Sequence, residues 1–290
     1  MIGVIGLGAM GAPMARNLLN AGKQVIVYDI RAEAVAGFAG TGAELATTVS
    51  DVARAAELVV TMVNDDSALR SVVFGEDGLS AGGMRDRVLV DLSSTSVALT
   101  NEIMTWSADA GCSYLDGAVI GGGAPAAQRG ESPIVIAGES GPAEAVVQEL
   151  ACLGSWSYMG AVGNAKVTKI INNWLVGAMT ASNGEALALG LAEGIELSTL
   201  YTSLLDGSAE STVLRSYIGS YLESGDYGAG LISIPMMEKD LALAISLGDQ
   251  VAAPVISAEV AREVYRLAGA IVGRERPFPA VGELFTSLNK

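Results

Sequence analysis

Gly6, Gly8 and Gly11 stand in the pattern G-x-G-x-x-G within GVIGLGAMGAPMARNL, residues 3–18. Glycines at this spacing suit one task. The first permits a tight turn, the second lets backbone amides approach a pyrophosphate, and the third lets a helix pack closely on the preceding strand. The N-terminus of that helix adds a local positive potential. The apolar run before the motif predicts the strand, and the run after it predicts the helix. A second strand then ends at Asp29, 18 residues beyond Gly11, where a carboxylate can accept a hydrogen bond from a ribose 2′-hydroxyl. The loop Gly6, Leu7, Gly8, Ala9, Met10, Gly11 is therefore expected to grip a dinucleotide. Asp29 favours NAD because it would repel a 2′-phosphate, and Arg31 leaves NADP open.

Proton chemistry is constrained by what is missing. The chain has no histidine, which excludes histidine triads, histidine-ligated zinc and imidazole shuttles. Its lysines are Lys23, Lys166, Lys169, Lys239 and Lys290. A general base acting near neutral pH must be one of these, a carboxylate or a tyrosine. Cys112 and Cys152 have no C-x-x-C or metal-ligand spacing, so neither a disulfide framework nor a metal site is expected, and both read as buried inert thiols in a reducing cytoplasm. The net charge of −15 over 290 residues disfavours nucleic acid and anionic membranes as partners. An apolar strand with no basic leader opens the chain, so no signal peptide is expected.

These residues need elements to hold them. Short β-branched runs predict strands at 2–5, 24–28, 58–62, 88–91, 114–119 and 133–137, with helices between them, such as 10–21 and 97–110. This alternation implies an α/β, Rossmann-type doubly wound sheet. After about Gly160 strand-like runs vanish. Residues 166–197 read as one long helix, apolar almost all round and so expected to be buried. Its uncharged run from Ile170 to Gly184 is short and contains Asn172, Asn173 and Asn183, which fits a core helix better than a membrane span. Breaks at 206–207, 225–230 and 248–249 divide the remainder into further helices. Two domains follow: an NAD(P)-binding domain over 1–160 and an all-helical substrate and dimerisation domain over 161–290.

Over essentially its whole length the sequence resembles the β-hydroxyacid dehydrogenase family. The resemblance rests on GLGAMGAPMARNL, on DLSSTS after the predicted strand at 88–91, on LDGAVIGGG, on GNAKVTKIINN and on MEKDLALA. It implies NAD(P)-dependent hydride transfer between the nicotinamide and a β-hydroxy acid or its semialdehyde. Lys169 would be the general acid/base. Asn173, one turn on and on the same helix face, would orient the substrate, and Lys166, one turn earlier, is the rival for the proton. Ser94 and Thr95 would lie near the nicotinamide, Met62 and Val63 along the adenosine side, and Lys239, accompanied by Asp240, at the cofactor. Structural jobs compete for these residues: helix capping by Ser94 or Ser96, core packing by Met62 and Val63, and an exposed helix-start pair for Lys239 and Asp240.

Ile120, Gly121, Gly122 and Gly123 are expected to form the substrate loop, with glycine N–H groups offered to a carboxylate. Here the chain departs from the family, whose loop usually reads D-A-P-V-S-G-G. Ala118 replaces the proline and Ile120 the serine, which leaves room for a bulkier or less polar substrate. The decarboxylating 6-phosphogluconate branch carries K-x-x-H-N, with histidine where this chain has Asn172. Imine reductases share LDGA but usually lack the lysine. An imine reductase and a dinucleotide-binding protein without turnover are the alternatives. A small-molecule substrate and a homodimer or homotetramer are expected.

Overall fold

The computed structural model describes residues 1–227 and 231–288. Within them, one sheet contains β1 (Ile2–Ile5), β2 (Val25–Tyr28), β3 (Glu44–Leu45), β4 (Leu58–Thr61), β5 (Val88–Asp91), β6 (Ser113–Val119), β7 (Ser132–Ala137) and β8 (Gly154–Tyr158). The strand order is β3-β2-β1-β4-β5-β6-β7-β8. Neighbours run parallel except β6 and β7, which are antiparallel. Strands covered by helices on both faces need apolar residues on both, and β1 and β4 are buried at every position. Strand order reverses at β1, so the crevice beyond the carboxyl ends of β1 and β4 is the switch point where such sheets take ligands.

Six helices matter for the site: α1 (Gly11–Asn20), α2 (Val97–Ala110), α3 (Gly123–Arg129), α4 (Asn164–Ala192), α5 (Ile234–Val251) and α6 (Ile256–Ile271). Ser96 caps α2 by accepting from the Leu99 N–H, and Gly111 ends it in the left-handed region. Asp116, at the end of the sheet, caps α4 from a distance, accepting from Gly163 N (2.8 Å) and Lys166 N (3.1 Å). The chain divides into two compact units, Met1–Lys169 and Ile170–Lys290. Sequence reading put the boundary at 160. Residues 161–169 belong with the sheet because Asp116 holds the first turn of α4.

Several expectations change. β3 and β8 were not foreseen: each stands at an edge of the sheet, where no second apolar face is needed to mark a strand. The long helix ends at Ala192, before Gly194 in the left-handed region. It is not buried all round, since Leu175, Leu189 and their neighbours Ile171 and Met179 are exposed. Gly248-Asp249 is no break, for α5 runs through it to Val251. A Cβ at Gly248 would come within 2.9 Å of the Ala253 carbonyl and the Val255 methyls, so the glycine serves a close approach. The break expected at 225–230 lies partly outside the described residues. Of the thiols, Cys112 is buried and Cys152 only half-buried, and burial pushes both upward in pKa, Cys112 to about 11. Among the described residues no helix is long and apolar enough to cross a membrane.

Candidate active site

The loop after β1 is built as the glycine spacing predicts. Gly6 has φ +95, and a Cβ there would lie 2.2 Å from the Met62 carbonyl oxygen. A Cβ on Gly11 would meet the Gly6 carbonyl oxygen at 1.9 Å, so α1 can start this close to β1 only without a side chain. Gly8 differs, because nothing lies within 4 Å of the position its Cβ would take. The first turn of α1 contains no acidic residue. Open space at the middle glycine, beside the N–H groups of a helix start, fits a pyrophosphate. Leu7, Ala9 and Met10 belong to the same turn.

Asp29 does more than await a ribose. Its Oδ2 accepts from Leu7 N at 2.7 Å and so braces the glycine loop from β2. Arg31 completes its shell through its backbone N–H and guanidinium. Burial alone would raise the pKa of this carboxyl, but the hydrogen bonds from Arg31 and Leu7, together with the Arg31 charge, hold it below the usual range.

Met62 and Val63 follow β4 and are half-buried, packed partly against the two cores of the sheet. Val63 N donates to Ser93 Oγ at 3.0 Å, joining the loops after β4 and β5. Ser93 was not singled out from sequence, although a serine directly after a strand was the available signal. In DLSSTS the capping role falls to Ser96, whose N–H and hydroxyl also donate to Asp66. Ser94 is half-buried. Thr95 is buried, and its hydroxyl has no hydrogen-bond partner among the described residues.

The run Gly121–Gly123 is less loose than its composition suggests. Gly122 adopts φ +75 and forms the N-cap of α3, which begins at Gly123. Ile120 donates its N–H to the Pro133 carbonyl at 2.9 Å, and its side chain rests partly on Ala118, Val135, Ala137 and Ala165. The isoleucine is therefore half core and half surface.

The start of α4 separates the two candidate lysines. Lys166 is 1% exposed. An ammonium has three protons to donate, and here they go to the carbonyls of Asp91 (2.9 Å), Ser93 (2.8 Å) and Gly117 (2.8 Å). Asp91 Oδ2 lies 2.8 Å from the same Nζ without hydrogen-bond geometry, an arrangement of charge on charge. Asp91 Oδ1 accepts from Thr61 Oγ1 (2.7 Å) and Ser93 N (3.0 Å). Asp116 lies on the other side, its pKa raised by burial against the N–H of Gly163 and the Lys166 charge. Lys166 is thus a buried strut tying the strands β5 and β6 to α4, and not a snorkelling surface lysine. Asp91 and Asp116 were quoted from sequence only as motif ends. Asp91 at the end of β5 and Asp116 beside it within β6, in a chain so poor in lysine, were the signal for this cluster.

Lys169 is half-buried. Asn173, four residues on in α4, is buried and donates Nδ2 to Asp240 Oδ2 at 2.6 Å. Its Oδ1 accepts from Asn172 Nδ2 at 3.1 Å. One N–H and one lone pair of the amide are left by these two bonds. Asp240 is buried in the second turn of α5 and also pairs with Lys239 Nζ at 3.3 Å, so the reading of an exposed helix-start pair does not hold for it.

Known proteins share this architecture. The family described as the NAD binding domain of 6-phosphogluconate dehydrogenase matches residues 1–167. That described as NAD-binding of NADP-dependent 3-hydroxyisobutyrate dehydrogenase matches 163–284. A 2-(hydroxymethyl)glutarate dehydrogenase of Eubacterium barkeri is 31% identical over 276 residues, 94% of this chain and 91% of that protein. A 3-hydroxyisobutyrate dehydrogenase of Pseudomonas aeruginosa is 30% identical over 275 residues, 92% of this chain and 91% of its own. The solved 3-hydroxyisobutyrate dehydrogenase of Mycobacterium tuberculosis with L-serine has a TM-score of 0.88 at 24% identity, covering 97% of each chain. An imine reductase of Myxococcus stipitatus is less similar, with a TM-score of 0.66 at 23% identity over 98% of each chain.

Proposed function

The chain belongs to the β-hydroxyacid dehydrogenase family, NAD(P)-dependent oxidoreductases acting on CH–OH groups, and from that premise we propose that Lys169 carries the proton of its reaction. The observation that supports this most is the division of labour along α4. Lys166 has its three ammonium protons committed to carbonyls, whereas Lys169 precedes by one turn an asparagine held by Asp240.

A bound nicotinamide would supply the hydride acceptor or donor for the carbinol carbon. The Lys169 amine takes the hydroxyl proton during oxidation and returns it during reduction. Asn173, its orientation fixed because a carboxylate can only accept from the amide nitrogen, presents its remaining N–H and lone pair to the substrate. Gly6–Gly11 would hold the pyrophosphate and Asp29 and Arg31 the adenosine ribose, with Met62, Val63, Ser94 and Thr95 beside the remainder of the cofactor; Lys239 is a further candidate for it.

The relatives' named compounds support a substrate class. Both 3-hydroxyisobutyrate and 2-(hydroxymethyl)glutarate carry a primary alcohol on the carbon β to a carboxylate and differ in the substituent between them. A 3-hydroxypropanoate substituted at C2 is the corresponding substrate here, its carboxylate received by N–H groups of Gly121–Gly123 and its substituent beside Ile120. The exposed apolar side chains Ile171, Leu175 and Met179 recur every fourth residue of α4, which supports a homo-oligomer. The free thiols suit the cytoplasm. The test is a panel of C2-substituted 3-hydroxypropanoates with NAD and with NADP, followed by absorbance of the reduced nicotinamide. Reduction with at least one such acid is expected. Turnover of cyclic imines alone would favour the imine reductase reading instead.

A further inference from the structure

Four oxygens surround the Lys166 ammonium, which has three protons to give. The protons go to the carbonyls of Asp91 (2.9 Å), Ser93 (2.8 Å) and Gly117 (2.8 Å). The fourth oxygen, Asp91 Oδ2, stands as close at 2.8 Å yet receives no hydrogen bond. It meets Nζ as an oxygen meets a metal ion, charge on charge. A ring of carbonyls in place of a hydration shell is how channel filters hold potassium, and ammonium matches potassium in charge and closely in size. Asp91 and Ser93 also reach outward from the cage. Asp91 Oδ1 accepts from Ser93 N (3.0 Å) and Thr61 Oγ1 (2.7 Å), and Ser93 Oγ accepts from Val63 N (3.0 Å). The cation at the centre thus ties together the loops after β4 and β5, which carry Val63, Ser94 and Thr95.

We propose that these four oxygens form a monovalent-cation site which the chain fills with its own ammonium, and that this tethered cation positions the loops after β4 and β5 for the cofactor. Lys166 is then a positioning residue. Buried at 1% exposure, it acts through Asp91 and Ser93 on Val63, Ser94 and Thr95. A covalently held cation needs no ion from solution, so the wild type should be indifferent to the monovalent salt present. The cation site stands on geometry alone, whereas the positioning role rests on the dinucleotide reading above.

The test compares the full-length wild type with Lys166→Ala in potassium chloride and in choline chloride at equal ionic strength. Urea unfolding reads the cation site, and fluorescence titration with NADH reads the loops. For the wild type each reading should be the same in both salts. Lys166→Ala vacates the cage. In choline chloride its urea midpoint should fall, and NADH should bind about tenfold more weakly, the worth of one or two positioning hydrogen bonds. Potassium, which fits the cage where choline does not, should raise the midpoint and bring NADH affinity back to within about threefold of the wild type. The kcat at saturating nucleotide should change far less than the affinity, a split that a merely structural loss would not produce. Identical behaviour of Lys166→Ala in the two salts would overturn the cation site. A midpoint restored by potassium with NADH affinity left low would overturn the positioning role. Failure of the wild type to bind NADH would overturn the dinucleotide reading and the positioning role with it, while the urea comparison still decides the cation site. A measurement on the wild type alone stands behind these in case Lys166→Ala does not fold. Its ¹⁵N spectra should contain one lysine ammonium whose protons exchange slowly with water at neutral pH, and rapid exchange at every lysine would overturn the cage.

Discussion

Lys166 and Lys169 lie one helical turn apart in α4, yet they differ in burial and in how much of their surroundings is defined. Around Lys166 the chain ends of β5 and β6 turn three carbonyl oxygens and a carboxylate inward, and every proton of the ammonium is used. Around Lys169 the helix is half-buried, and the residue four positions on is a positioned amide. Residue type is the same in both places. What differs is burial: Lys166 is 1% exposed among carbonyls, and Lys169 is half-buried. Lys166 is spent on carbonyls within the first unit, whereas Lys169 is the residue proposed above to carry the proton.

That contrast can be broken by substitution, first at Lys169. Lys169→Ala removes the general acid/base and should lower kcat by about 10²- to 10⁴-fold, read from steady-state kinetics with the best acid of the panel. Lys166→Met reverses the pattern. It strands three buried carbonyls and leaves Asp91 without its counter-charge, and breaking a buried pair in this way costs about 3–5 kcal/mol. Urea unfolding of the first unit should report it, with the kcat of the fraction that remains folded much less affected than in Lys169→Ala. If Lys166→Met folds normally and loses activity, the assignment of strut and base is inverted.

Asp240→Asn is expected to act more gently. The charge-assisted bond from Asn173 becomes a neutral one, worth about 1 kcal/mol less, or roughly fivefold in kcat. Stability loss without a kinetic change would make Asp240 structural only. The smallest effect is expected at Ile120. Because its side chain rests partly on Ala118, Val135 and Ala165, Ile120→Ser should shift the ranking of C2 substituents toward polar ones by a few-fold in kcat/KM and cost about 1 kcal/mol of stability. A constant ranking would place its whole side chain in the core.

The glycine loop was readable because local sequence dictates local geometry: G-x-G-x-x-G between an apolar strand and a helix has few other uses, and Asp29 arrives where the second strand ends. The central strands were readable because burial on both faces demands unbroken β-branched runs. β3 and β8 were not, since edge strands such as Gly154–Tyr158 alternate with polar residues and copy a loop. Lys166 stayed a rival to Lys169 for a different reason. Nothing local to KVTK says which lysine is buried; that depends on carbonyls at Asp91, Ser93 and Gly117, 49 to 75 residues away in sequence. The link from Asn173 to Asp240 spans 67 residues and was equally invisible. Ser96 was distinguished from Ser94 as the cap only by its bonds to Leu99 and Asp66.

The proton role of Lys169 is tested most directly by chemical rescue. The kcat of Lys169→Ala is measured with increasing concentrations of small primary amines, while NADH binding is titrated in parallel. The account predicts NADH affinity within about twofold of the wild type, because the glycine loop and Asp29 are untouched. It also predicts activity that rises with amine concentration and with amine basicity, as expected for a proton carrier supplied from solution. Unchanged NADH binding with activity indifferent to every amine would contradict Lys169 as the acid/base.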